Sequence, residues 1–315
     1  MTPGDAVPVA VPSAMPVPRI TIGGLRKLTT PSIGSSQGVA GQFLPAGSVP
    51  VPFASLTCYD ATMARWLCRA GVQVLLVGDT AAEMVLGFAR TSDMPLDVLL
   101  ALTAGVRRGI TAATTDSKAP DGTVIPLLMG DMPFLTYHLS EDDAVRNAAR
   151  FLTEGQADVV KLEVDATFAP RVARMNQAGI PICAHIGSRP QRAAMTGGYA
   201  SAGRTKAEAA SIMTDAKAML DAGCPMMLIE AVPDEVGSAV TDLCTAAKVP
   251  LIGIGAGTSC HGQVLVLTDL LGLTDKSPLF VKRAADLGTA VTAAAKGWVD
   301  TVAKRGAGAS PYTMR

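Results

Sequence analysis

The chain has 315 residues, room for one or two domains at about 150 residues each, with 49% hydrophobic and 17% charged residues. Its 27 basic and 27 acidic side chains cancel, so charge gives no reason to expect nucleic acid or an anionic membrane as partner. The composition excludes overall disorder, and no apolar run reaches the roughly 18 residues that span a bilayer.

Residues 1–18 (MTPGDAVPVAVPSAMPVP) lack a basic start and hold five prolines, which predicts a flexible tail and not a signal peptide. Residues 19–52 read as an N-terminal extension, with a loop insertion over 28–50 where Gly, Ser, Thr and Pro occur without helical period. From residue 53 short apolar runs alternate with helical periods. The strands expected are 54–58, 72–77, 124–129, 158–162, 180–184, 226–229, 250–254 and 263–267, most ending in a glycine or a polar side chain. Between them, Asp60 is placed to cap a helix with Met63, Trp66, Leu67 and Ala70 on its inner face. Ser140 opens another with Ala144, Val145, Ala148 and Leu152 inward, and Thr205 with Glu208 has capping-box spacing. Residues 111–123 read as a surface loop, and 304–315 as a C-terminal tail.

Eight nearly continuous apolar strands separated by helices imply a parallel sheet covered on both faces. A closed (β/α)8 TIM barrel over residues 53–303 fits this rhythm, with a doubly wound open sheet as the alternative. Six scattered cysteines make no CxxC pair and read as reduced, buried thiols of a cytosolic protein.

In such a barrel chemistry belongs to the C-terminal strand ends. Asp79, Asp131, Lys161, Glu163, His185 and Glu230 all fall there, and Lys161 and Glu163, two apart, share a strand face. Hard carboxylate oxygens suit Mg²⁺ completed by water and a chelating substrate. Taken singly each acid also reads as an N-cap, and His185 as a hydrogen-bonded strand-end histidine. His138 is expected in solvent. The run Gly253–Gly257 fits either a phosphate site or a tight turn, and Gly197–Gly203 either a lid or a connector. No HExxH, GxSxG or Cys/His ligand spacing occurs.

The segments LTCYDATMARWLCRAGVQVLLVGD, MGDMPF, VVKLE, PICAHIGSRPQ, GGY with GR, LIEAVP and GIGAG with GQVLV, in that order, resemble the ketopantoate hydroxymethyltransferase family over residues 19–272. That resemblance implies a barrel like those of the phosphoenolpyruvate mutase and isocitrate lyase superfamily. It implies transfer of a one-carbon unit from 5,10-methylenetetrahydrofolate to α-ketoisovalerate (3-methyl-2-oxobutanoate), giving ketopantoate for pantothenate biosynthesis through an enolate stabilised by Mg²⁺. Carried over by motif, Asp79, Asp131 and Glu163 would hold Mg²⁺, while Asp79, Thr80, Asp131, Lys161 and His185 would bind the keto acid. Glu230 would be the base that takes the C3 proton. The family also implies a homo-oligomer, resembling decamers built from rings of five.

Departures from the family pattern are Thr80 in place of the usual serine, an altered segment after it with an extra acid, Glu83, and His261 before GQVLV where aspartate is customary. They bear on substrate or folate specificity. The same residues also admit a divergent Mg²⁺-dependent lyase or aldolase acting on another 2-keto acid, or a non-catalytic binding or assembly protein with the same fold.

Overall fold

The computed structural model describes residues 17–29, 36–37, 43–44, 51–116 and 119–314. Most of the expected tail over 1–18 and most of the 28–50 loop lie outside them. Eight strands, β1 (Phe53–Thr57), β2 (Val74–Val77), β3 (Leu127–Asp131), β4 (Val159–Glu163), β5 (Ile182–Gly187), β6 (Met226–Glu230), β7 (Leu251–Ile254) and β8 (Gly262–Leu265), close into one barrel. Every neighbouring pair is parallel, including β8 with β1. The closed barrel stands as expected; the open sheet is excluded.

Period-two alternation separates two cores. Leu127 and Met129 of β3, Val159 of β4 and Met226 and Leu228 of β6 fill the barrel interior. The residues alternating with them, such as Leu128, Val160 and Met227, pack outward under the helices. Gly130 lies in an outward position, where a Cβ would come within 2.4 Å of the Phe151 ring. Glycine there lets the following helix close onto the sheet.

The helices are α1 (Ala61–Arg69), α2 (Leu96–Thr114), α3 (Glu141–Thr153), α4 (Ala169–Gln177), α5 (Lys206–Asp221), α6 (Asp234–Ala246) and α7 (Leu287–Ala303), joined by shorter turns of helix. Asp60 and Ser140 cap α1 and α3 as read from sequence, and Thr205 with Glu208 forms the full capping box of α5. Three local readings need correction. Trp66 faces solvent beneath the Arg69 guanidinium, and Ala64, Leu67 and Cys68 are the buried residues of α1. Residues 111–114 continue α2, with the hydroxyls of Thr111 and Thr114 turned back to the carbonyls of Arg107 and Ile110. No helix separates β7 from β8; residues 255–261 make a tight turn instead, with Gly257 at φ +80° and its missing Cβ 2.6 Å from the Asp234 carboxylate. The glycine run is thus a strand-to-strand connection and not a turn into a helix.

The N-terminal end of the barrel is plugged by the described part of the extension. Ile125 N–H donates to Pro18 O and Ile20 N–H to Ile125 O, at 2.8 and 2.9 Å, so β3 starts only at Leu127. Ile20, Leu25 and Leu28 then join the interior core, and Arg19 pairs with Asp158 at 3.1 Å. At this same end His261 precedes β8. Leu251 N–H donates to His261 Nδ1 at 3.0 Å and Nε2 meets Thr245 Oγ1 at 2.9 Å, which makes it a strut between α6 and β7 far from the strand C-termini. The opposite case is α7, which buries none of its residues.

Candidate active site

The residues expected from sequence to bind metal or substrate or to act as base come to the C-terminal mouth. Asp131, Lys161, Glu163, His185 and Glu230 continue the inward-facing rows of β3 to β6, and register places Asp131 beside Lys161 and Glu163 beside His185. Together with Asp79 and Thr80, which follow β2, they line one cavity of about 90 Å³. Asp79 caps no helix through its side chain. The short helix after it has Thr80 at its N-cap, without a side-chain hydrogen bond. Capping is thereby ruled out as its role.

Six charged or titratable groups so close together influence one another's protonation. Lys161 Nζ lies 2.8 Å from Asp131 Oδ2, and Asp79 N–H donates to the same oxygen at 3.1 Å. Burial pulls the Lys161 ammonium toward losing its proton, but Asp131, Asp79 and Glu163 together hold it above the usual lysine range. It stays cationic. Burial raises Asp131, and Lys161 opposes that rise. Glu163 is pushed well above the carboxylate range by burial and then by the Asp79 charge.

His185 is buried and held neutral, first by desolvation and then by Lys161. Its Nδ1 stands 3.4 Å from Lys161 Nζ, which assigns Nδ1 as acceptor and leaves the proton on Nε2. That Nε2 lies 3.4 Å from Glu230 Oε2 without hydrogen-bond alignment. Burial lifts Glu230 to about 7, with Lys161 working against the rise, while 23% of its side chain stays open at the mouth. A carboxylate so placed can exchange a proton near neutrality.

The donor set fits Mg²⁺. Asp131 Oδ1 is buried and has no partner among the described residues, an expensive arrangement unless a cation completes it. Among the described residues no group of three His, Cys, Asp or Glu forms a finished metal cage. Mg²⁺ does not require one, since it takes one or two carboxylates and keeps water and substrate oxygens for the rest.

Two residues that sequence reading left without a role complete the site. Gln191 donates from Nε2 to Asp79 Oδ2 at 2.8 Å and accepts from the Tyr137 hydroxyl at 2.7 Å. Nothing local marks them, because the chain between β5 and α5 brings Gln191 back over the strand ends only in the fold. His138 also departs from expectation. It is half-buried among Phe134, Tyr137 and Phe168, not in solvent.

A second cavity of about 560 Å³ adjoins the first through Pro190 and is lined by Arg189, Arg192, Met195, Tyr199 and Ser211. The Tyr199 hydroxyl donates to Glu83 at 2.9 Å, so the extra acid ties the Gly197–Gly203 loop across to the segment after β2.

Residues 40–307 match the family model described as ketopantoate hydroxymethyltransferase. The chain is 40% identical to the 3-methyl-2-oxobutanoate hydroxymethyltransferase of Anaeromyxobacter sp. (strain Fw109-5), over 80% of this chain and 79% of that one. It is 40% identical to the enzyme of the same name from Chlorobaculum tepidum, over 79% of this chain and 86% of that one. Among solved structures it is similar to 2,3-dimethylmalate lyase, a PEP mutase/isocitrate lyase superfamily member, with TM-score 0.53, 15% identity, and 93% and 88% of the two chains covered. At that identity the likeness is one of fold.

Proposed function

Because the chain belongs to the ketopantoate hydroxymethyltransferase family, we propose that it hydroxymethylates 3-methyl-2-oxobutanoate, with 5,10-methylenetetrahydrofolate as one-carbon donor, in the route to pantothenate. The observation that carries this reading is the meeting of Asp79, Asp131, Lys161, Glu163, His185 and Glu230 around one small cavity. The overall reaction balances as keto acid, methylene donor and water giving hydroxymethylated keto acid and tetrahydrofolate.

Asp79 and Asp131 would hold Mg²⁺, with Glu163 supporting the metal, and the ion would supply a Lewis acid toward the keto and carboxylate oxygens when bound. Lys161, kept cationic by its carboxylates, offsets negative charge that builds on those oxygens as the C3 proton leaves. Glu230 accepts that proton, and its raised affinity brings it close to the working pH. His185 presents a neutral Nε2–H on the wall of the cavity beside Glu230. Thr80 lines the same wall and offers its hydroxyl to the keto acid, the part taken by serine elsewhere in the family. The adjoining 560 Å³ cavity has room for the folate, with Arg189 and Arg192 on its wall.

A homo-oligomer belongs to the same reading: α7 exposes Val291, Trp298, Val299 and Val302, a face that a second copy would cover. The six free, buried cysteines suit a reducing cytoplasm.

The test is deuterium exchange at C3 of 3-methyl-2-oxobutanoate in D₂O with Mg²⁺ and without folate, followed by NMR. We expect exchange by the wild-type protein, with product only after methylenetetrahydrofolate is added. Glu230→Gln is expected to lower exchange by at least about a hundredfold while keto-acid binding stays measurable. Exchange by that variant at the wild-type rate would place the base elsewhere.

A further inference from the structure

We propose that Gln191 is a positioning residue that sets the two carboxylates of Asp79 and Glu163 for cation binding, and that Tyr137 fixes the orientation of its amide. This rests on the reading of those acids as the Mg²⁺ site and goes beyond it in naming what holds them in place.

Gln191 is 2% exposed, and every hydrogen-bonding group on its side chain is engaged. Nε2 donates one hydrogen to Asp79 Oδ2 at 2.8 Å and the other to Met132 O at 3.0 Å. Oε1 accepts the Tyr137 hydroxyl at 2.7 Å. The backbone N–H of Gln191 reaches the Glu163 carboxylate at 3.1 and 3.3 Å to its two oxygens. One residue on the chain after β5 thus grips acids that follow β2 and end β4.

The amide has only one workable orientation. Reversed, its oxygen would face a carboxylate and a carbonyl, while its nitrogen would face the Tyr137 hydroxyl. Tyr137 is itself pinned, since Glu163 N–H donates to its oxygen at 3.1 Å. Hydrogen bonds to carboxylates are stronger than neutral ones, and outside a metal they decide which oxygen remains for the ion. With Oδ2 engaged by Gln191, the other Asp79 oxygen is left for the cavity. Two neighbouring carboxylates also repel in a buried site. A donor supplied to each from the same rigid residue offsets part of that repulsion and fixes where the two carboxyl groups sit.

The experiment measures Mn²⁺ binding, by the EPR signal of the free ion, to the full chain without substrate. It compares wild type, Gln191→Met, Tyr137→Phe and the double variant. We expect Mn²⁺ affinity to fall roughly ten- to a hundredfold in Gln191→Met and by a smaller factor in Tyr137→Phe. In the double variant the loss should equal that of Gln191→Met alone, because Tyr137 acts through the amide. Additive losses would mean two unrelated structural effects and would overturn the proposal. So would wild-type affinity in either single variant, and Tyr137→Phe decides the matter if Gln191→Met does not fold. A wild-type protein that takes up no Mn²⁺ would instead remove the metal-site reading beneath it.

Discussion

Glu230 shows how a side chain acquires chemistry from its surroundings. It follows the apolar run MMLI on β6, and the same burial that this run creates lifts its proton affinity to about 7. Only the ionised form can take a proton, so C3 exchange should fall about tenfold per pH unit below that value and level off above it. An exchange–pH profile by NMR checks this; a plateau reaching down to pH 5 would rule Glu230 out. Position at a strand end, with inward register, is what made Asp131, Lys161, Glu163, His185 and Glu230 legible from sequence. Gln191 was illegible for a complementary reason: its partners Asp79 and Tyr137 lie 112 and 54 residues away. Trp66 was misplaced because a helical stripe does not say which of its edges meets the sheet, and Arg69 gives that ring a partner at the surface.

At the level of elements, all eight strands were readable because a buried parallel strand is an unbroken apolar run. What failed was the assumption that a helix follows each one. The short distance from β7 to β8 leaves no room for it, and His261 does part of the bracing there. Burial lowers the His261 proton affinity, so the folded protein keeps it neutral. The unfolded chain binds that proton near pH 6.5, which means stability is lost as pH falls below about 6.5 toward the lower folded value. His138 and His185 are shifted the same way and contribute in the same direction. His261→Asn keeps an acceptor for Leu251 N–H but cannot titrate in this range. Urea unfolding at pH 7.5 and 5.5 should therefore show a smaller acid-induced drop in the variant, by up to about 1 kcal/mol. Equal drops would show that His261 does not titrate on unfolding.

Across the whole molecule the least satisfied part is α7. Isolated helices of about 15 residues are marginal in water and gain most of their stability from packing, yet none of the 17 residues of α7 is buried. Trp298 and Val299 are 59% and 65% exposed. If α7 is covered by a second copy, Trp298→Asp with Val299→Asp should reduce the mass seen by light scattering and lower the helical signal in circular dichroism. An unchanged mass would assign the oligomer contacts to another face. The plug formed by Ile20, Leu25 and Leu28 has a kinetic meaning as well. With that end of the cylinder sealed and its middle filled by side chains, the cavity at the strand C-termini is a well floored by the described residues. Under the proposed reaction the small keto acid seats at the floor, so it must arrive before the bulky donor shuts the passage, and its product must wait for the spent donor to depart. On that reading, addition and release would follow a compulsory order.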